Sequence, residues 1–234
     1  MVSDDPDPAS PAGDPVDDGD VVDRLFRAER IRARHRPTGL AGGSTTERTV
    51  WVFGYGSLVS PVALGRMIGR VARPEDELHR AGLNGFGRRW NYALPFPIGS
   101  WTLDDGTEVV GGTSVALGLV ESAGEQLNGV IVSLTAVELA DLDVRERDYD
   151  RIDVSGLVDA GDVDLGGRPV VTYVPTPSAV RRYERARDDG TAGIRRTYWD
   201  LVDDAFGSLG AGEWARYRAT TPLPDVPIVD VVPT

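Results

Sequence analysis

The apolar residues of this chain fall in short runs separated by Gly, Pro and Asp, a spacing that predicts several strands and fewer helices. The first run, TVWVFG, predicts a buried strand at 49–55. Other apolar or alternating runs predict further strands at 79–94, 113–120, 128–134 and 149–154. The segment GDVDLGGRPVVTYV predicts a hairpin with its turn at Gly166-Gly167.

Helices are predicted at fewer places. Pro61 suits the first turn of a helix near 61–69, and Thr135, with Glu138 three residues later, is a candidate N-cap for a second helix. Later helices are predicted at 178–188 and 193–207, before a Pro-punctuated tail that we expect to be extended. Many strands, few helices and no β-α-β rhythm predict an α+β fold with a curved or closed, barrel-like, mainly antiparallel sheet.

The first 48 residues differ in composition from the rest of the chain. Residues 1–20 are rich in Asp, Pro, Gly and Ala and bury too little apolar surface to offset their ordering entropy, which predicts a disordered acidic tail. Residues 21–48 predict a peripheral basic helix followed by a linker, with a partner-binding helix as the alternative. A single domain is then predicted over residues 49–234.

The composition restricts the chemistry that is open to the chain. It has no cysteine, and all 25 basic residues are arginine, which excludes thiol nucleophiles, Schiff-base lysines and the lysine of a nucleotide-binding loop. Only two histidines occur, which excludes a His-rich metal site, and no metal is expected. A net charge of −12 disfavours nucleic acid as a partner. The absence of a long apolar run predicts no membrane span and no secretory signal, so we expect a cytoplasmic location.

Two glycines bracket a tyrosine where the first predicted strand ends, in the motif Gly54-Tyr55-Gly56-Ser57-Leu58. Glycine permits a close approach of the backbone to a ligand, and the start of a helix offers N–H groups that favour an anion. A plain tight turn explains the same spacing. No G-x-S-x-G pattern surrounds the serine, which disfavours a serine hydrolase.

Charged residues suggest two further sites, each with a structural alternative. Glu146 lies in the charged stretch DVRERDYDRID, which is typical of an ion-paired surface. If this stretch were extended, Glu146, Asp148 and Asp150 would share a face, and neighbouring carboxylates raise one another's pKa. Arg88 and Arg89 either belong to an alternating strand face or bind a substrate carboxylate.

Taken together, three segments resemble the γ-glutamylcyclotransferase superfamily, which includes ChaC-type enzymes acting on glutathione and AIG2-like proteins. The segments are VFGYGSL, GFGRRWN and LNGVIVSLTAVELADLDVRERDYDRIDV, and the resemblance covers roughly residues 49 to 175. The chain departs from the animal-enzyme pattern YGSNL, and it lacks the Gly pair that usually follows the ChaC glutamate. These departures concern the substrate more than the chemistry.

The resemblance implies a small barrel-like domain in which Tyr55, Gly56, Ser57 and Leu58 hold the γ-glutamyl group of a small substrate. It implies that Glu146 acts as general acid/base. In the implied reaction the substrate's α-amino group attacks its own γ-carbonyl, which forms 5-oxoproline and releases an amine without a cofactor. A non-catalytic binding domain on the same fold is the alternative. The sequence leaves open the oligomeric state and the choice among glutathione, γ-glutamyl amino acids and γ-glutamylamines.

Overall fold

The computed structural model describes residues 48–232. The predicted acidic tail at 1–20 lies outside this part of the chain, as does the predicted basic helix and linker at 21–48 except for its last residue, so both remain predictions. None of the helices between residues 48 and 232 is long and apolar enough to cross a membrane.

Eight strands form the hydrogen-bonded framework of the domain. In chain order they are β1 (Arg48–Gly54), β2 (Leu78–Thr102), β3 (Glu108–Thr135), β4 (Tyr149–Asp153), β5 (Val158–Asp159), β6 (Val170–Pro175), β7 (Ala192–Arg195) and β8 (Ile228–Val229). The main path runs β4-β6-β1-β3-β2-β5, and β7 pairs with both β3 and β8. The pairs β1–β6, β3–β7 and β7–β8 are parallel, and the others are antiparallel.

The predicted α+β class with a mainly antiparallel sheet is confirmed. Along the main path the sheet has two ends, β4 and β5, and no pairing within residues 48–232 joins them. The sheet is therefore open along this path. The curvature of the sheet comes from β2 and β3, which are 25 and 28 residues long. The register between these two strands shifts at five places, and such irregularities let long strands bend.

The predicted helices are present, and three further helical segments were not predicted. The helix predicted from residue 193 begins at Arg196, because the residues before it form β7. A short 3-10 helix at Ser57–Val59 precedes α1 (Pro61–Ile68), α2 (Pro74–Glu77), α3 (Ala136–Arg145), α4 (Pro177–Asp188), α5 (Arg196–Ser208) and α6 (Ala211–Thr220). Pro61 occupies the first turn of α1 as expected, and the capping box of Thr135 and Glu138 starts α3. Helix α6 was not predicted, because GEWARYRAT has few apolar residues.

The predicted hairpin around Gly166-Gly167 is wrong. The turn itself is present, since both glycines have positive φ values of 61° and 67°. The strands on its two sides have other partners, however, because β5 pairs with β2 whereas β6 lies between β1 and β4. The central position of β6 satisfies both of its edges, so it does not pair with β5.

An ion-pair network holds the start of α3 on the sheet. Arg70 Nε lies 2.5 Å from Glu138, and its Nη1 lies 2.7 Å from Glu77, which also accepts from Arg48 at 2.5 Å. Leu142 on α3 is fully buried in the core. These contacts fix α3, and so they fix the residue that ends it, Glu146.

Candidate functional site

The segment after β1 is a compact turn that leads into the 3-10 helix at Ser57–Val59. Val59 N–H donates to Gly56 O at 3.0 Å, and Ser60 N–H donates to Ser57 O at 3.1 Å. The amides of Ser57 and Leu58 open the 3-10 helix, and the first N–H groups of a helix have no partner within it. These donors are the ones that could bind an oxyanion or a carboxylate.

Close contacts surround both glycines of the motif, and the one at Gly54 requires glycine. A Cβ at Gly54 would lie 2.7 Å from Leu58 Cβ, which is closer than two carbons can approach. A Cβ at Gly56 would lie 3.3 Å from the hydroxyl oxygen of Tyr198. Gly54 therefore lets the turn fold back on β1, and Gly56 lets Tyr198 approach the turn.

Arg88 supports the turn from inside the core. Its side chain is 0% exposed, and its Nε donates to Tyr55 O at 2.9 Å. Its other donors bind the Asn128 carbonyl and Thr221 Oγ1, the latter at 2.8 Å. Because the peptide bond is planar and trans, a Tyr55 carbonyl that faces Arg88 turns the Gly56 N–H to the opposite side.

The two adjacent arginines that the sequence singled out have different surroundings. Arg88 also stacks on two aromatic rings, and burial lowers its pKa to about 10, so it stays charged at neutral pH. Arg89 forms a half-exposed ion pair with Glu125 at 2.5 Å. Substrate binding by either arginine remains a prediction, and the contacts of Arg88 make it a support of the turn.

Glu146 ends α3 in a turn. Its N–H donates to Leu142 O at 2.8 Å, and its carbonyl accepts from Tyr149 N–H at 2.7 Å. The premise of an extended stretch is therefore wrong at this point, because the chain becomes extended only from Tyr149 onward. Asp148 does not share a carboxylate face with Glu146 and instead pairs with Arg182 at 2.9 Å.

The Glu146 side chain is largely shielded from water and lies close to a group of tyrosines. It is 15% exposed, and its Oε1 is 3.5 Å from Arg145 Nε. Burial raises the pKa values of four phenols, and the nearby Glu146 carboxylate contributes a further rise in each: Tyr55, Tyr149, Tyr173 and Tyr198. Tyr55 is the first residue of the turn after β1, so the carboxylate and the turn lie within electrostatic reach of each other.

The turn and Tyr149, three residues after Glu146, both lie beside Leu117 at a gap along one edge of β3. β1 and β7 both pair with the β3 edge that faces away from β2, at residues 130–135 and 113–114. Between them, side chains take the place of a strand at Leu117, whose N–H donates to Tyr198 Oη at 3.3 Å and whose carbonyl accepts from Tyr149 at 3.1 Å. Tyr149 also stacks on Tyr92, with ring centroids 4.3 Å apart.

The gap therefore gathers groups from distant parts of the chain. Tyr149 follows Glu146 by three residues and donates its N–H to the Glu146 carbonyl, and Tyr198 lies beside Gly56, so phenols from both regions line the gap. The sequence motifs named Glu146 and the turn. They gave no sign of Tyr198, which follows β7 and belongs to no recognisable pattern.

Comparison with known proteins gives only distant likenesses. No family model matches the sequence, and no curated protein matches it. Among solved structures, the chain is similar to an Arabidopsis thaliana protein (24% identity, TM-score 0.39, covering 61% of this chain and 72% of that one). It is also similar to an uncharacterised protein from Homo sapiens (16% identity, TM-score 0.42) and to a glutathione-specific γ-glutamyl cyclotransferase from yeast (15% identity, TM-score 0.40). Each of these two alignments covers 76% of this chain and 90% of the other.

The family that the sequence motifs resemble thus appears among the structures to which this chain is similar. With TM-scores below 0.5 and identities below 25%, these likenesses do not decide the activity.

Proposed function

We propose that the protein is a γ-glutamylcyclotransferase that converts a γ-glutamyl compound into 5-oxoproline and a free amine. The observation that carries the proposal is the position of the shielded Glu146 carboxylate, within electrostatic reach of Tyr55 in the turn and of Tyr198, which touches Gly56. A carboxylate and a set of amides at the start of a helix are the two kinds of group that this cyclisation requires.

Glu146 is the general base and then the general acid of the proposed reaction. The substrate's α-ammonium has an ordinary pKa of about 8, whereas a free glutamate has a pKa of about 4.3, so a fully hydrated carboxylate is a weak base for this step. A side chain that is only 15% exposed is better screened from water. Glu146 takes one proton from the ammonium, and the amine nitrogen then bonds to the γ-carbon. Glu146 gives that proton to the leaving nitrogen as the old C–N bond breaks. It then takes the remaining extra proton from the ring nitrogen and passes it to the released amine or to water, which leaves the neutral ring amide of 5-oxoproline and a free amine.

The turn supplies charge stabilisation. When the α-amino nitrogen attacks the γ-carbonyl, the carbonyl oxygen becomes an oxyanion that the amides of Gly56, Ser57 and Leu58 are proposed to bind. Arg88 supports this role because it holds the Tyr55 carbonyl on the far side. The attack is intramolecular, and a well-aligned intramolecular reaction gains about 7–11 kcal/mol from proximity. No metal or thiol is needed for these steps.

A substrate panel tests the proposal. The full chain is incubated with glutathione, γ-glutamyl amino acids and γ-glutamylamines, and 5-oxoproline is measured by mass spectrometry against reactions without protein. We expect 5-oxoproline from at least one class. Folded protein that releases none from any class would overturn the proposal, and binding without turnover would identify a non-catalytic binding domain instead.

A further inference from the structure

Arg195 is a shielded cation whose hydrogen-bonding capacity is largely unused. It is the last residue of β7, and its Nε donates to Ser114 Oγ at 3.2 Å. Within residues 48–232 its two terminal amino groups have no acceptor, and no Asp or Glu lies within ion-pair distance of it. The next residue is different, because Arg196 pairs with Asp230 at 3.1 Å on the surface.

Arg195 is charged under ordinary conditions in spite of its surroundings. Burial lowers its pKa to about 10, and the neighbouring Tyr198 opposes part of this effect. A cation that is partly withdrawn from water without an anionic partner loses solvation, and an arriving anion offsets that loss. The planar fork of a guanidinium is matched to a carboxylate, which it can bind with two parallel hydrogen bonds.

Arg195 belongs to the same gap as the groups described above. β7 pairs with β3 in parallel, with Gly193 opposite Ser114, and this pairing brings Arg195 alongside the open edge of β3. Tyr198 lies one helical turn after Arg195, in the first turn of α5. Its hydroxyl accepts from Leu117 N–H, while its own O–H proton has no acceptor within the described part of the chain.

We propose that Arg195 binds the α-carboxylate of the γ-glutamyl group, with the Tyr198 hydroxyl donating a further hydrogen bond to the bound substrate. This inference rests on the proposed function and deepens it. The γ-glutamyl head group carries a carboxylate and an ammonium on one carbon. At the gap, the Tyr198 phenol lies within electrostatic reach of both a cation, Arg195, and an anion, Glu146. Anchoring the carboxylate on Arg195 leaves the ammonium for Glu146 and the turn amides for the oxyanion.

The anchor predicts a specificity that a purely structural arginine would not confer. A substrate whose α-carboxylate is replaced by a carboxamide keeps its ammonium and γ-carbonyl but loses its partner for Arg195. We expect wild type to prefer the carboxylate substrate by about 100-fold in kcat/KM, which is typical of losing one partner of a shielded charge pair.

The test compares Arg195→Met with Arg196→Met, its exposed neighbour. In Arg195→Met we expect kcat/KM for the carboxylate substrate to fall by about 100-fold, mainly through KM, and the preference over the carboxamide to disappear. In Arg196→Met we expect kcat/KM for the carboxylate substrate and the preference over the carboxamide to stay at their wild-type values. Arg195→Lys, which retains the charge, is expected to keep the preference with a raised KM, and it serves if Arg195→Met does not fold.

Failure of the anchor and failure of the proposed function give different results. If wild type is active and Arg195→Met has an unchanged KM and an unchanged preference for the carboxylate substrate, the proposed role of Arg195 is overturned. The proposed γ-glutamylcyclotransferase activity would still stand. If wild type releases no 5-oxoproline from any substrate, the function fails, and calorimetry with 5-oxoproline itself decides the anchor. If 5-oxoproline binding is lost in Arg195→Met and kept in Arg196→Met, the proposed role of Arg195 is supported. If 5-oxoproline binds equally to both variants, or does not bind to wild type, that role is overturned.

Discussion

Replacing Arg88 by methionine is expected to destabilise the protein strongly, although the same change one residue later is expected to have little effect. Arg88 is 0% exposed and donates to Tyr55 O, Asn128 O and Thr221 Oγ1. Methionine fills much of the volume but leaves the two buried carbonyls without these donors. Each buried polar group left unsatisfied costs about 1–3 kcal/mol, so we expect a loss of about 3–5 kcal/mol in the free energy of unfolding.

Arg89→Met is the matched control. Its ion pair with Glu125 joins side chains that are 32% and 41% exposed, and exposed pairs of this kind contribute about 0–1 kcal/mol. Urea denaturation followed by tryptophan fluorescence gives both free energies. Losses of equal size in the two variants, or a loss below 1 kcal/mol in Arg88→Met, would refute the assignment of Arg88 as the support of the turn.

Three further predictions concern pH, the turn and the gap. Burial alone would raise the pKa of Glu77, but hydrogen bonds from Arg73 N–H and from the Arg48 and Arg70 side chains outweigh this and lower it from 4.5 to about 2. This stabilisation is therefore present above about pH 4.5 and is lost as the pH falls toward 2. Between pH 5 and pH 2, the free energy of unfolding measured by urea titration should fall by about 1–3 kcal/mol more in wild type than in Glu77→Gln. Equal falls in the two proteins would contradict this prediction. Gly54→Ala should lower the midpoint of thermal unfolding, because its Cβ would lie 2.7 Å from Leu58 Cβ. Gly212→Ala should not lower it, because a Cβ there has no atom within 4 Å. Equal midpoints for the two variants in calorimetry would contradict the close contact at Gly54. Tyr198→Phe leaves Leu117 N–H without its acceptor and removes the phenol O–H that is proposed to donate to the substrate. We therefore expect kcat/KM to fall by more than the change in stability explains. Unchanged kinetics would exclude Tyr198 from the site.

Local signals were sufficient for the elements next to the site. Pro61 at the first turn of α1 and the capping box that starts α3 satisfy helix ends within a few residues, so the sequence carries them directly. The motif around Tyr55 and the helix that ends before Glu146 were found in the same way.

Local sequence signals could not predict which distant segments of the chain lie next to each other in the fold. The segment VVTYV has the alternation of a strand, but alternation does not say which strand lies beside it, so its pairing with β1 and β4 was missed. Arg195 and Tyr198 reach the gap only through the parallel pairing of β7 with β3, and no spacing in the sequence encodes that pairing. The face proposed for Glu146 and Asp148 failed because the helix continues to Arg145.

The most direct test of the proposed chemistry is the rate of 5-oxoproline release by Glu146→Gln, measured by mass spectrometry on the best substrate of wild type. Glutamine keeps the size of the side chain but cannot take the proton, so we expect kcat to fall by about 10²–10⁴-fold with an unchanged circular dichroism spectrum. Asp141→Asn, an exposed carboxylate on the same helix, should keep wild-type activity. A folded Glu146→Gln variant that releases 5-oxoproline at the wild-type rate would contradict the role of this carboxylate.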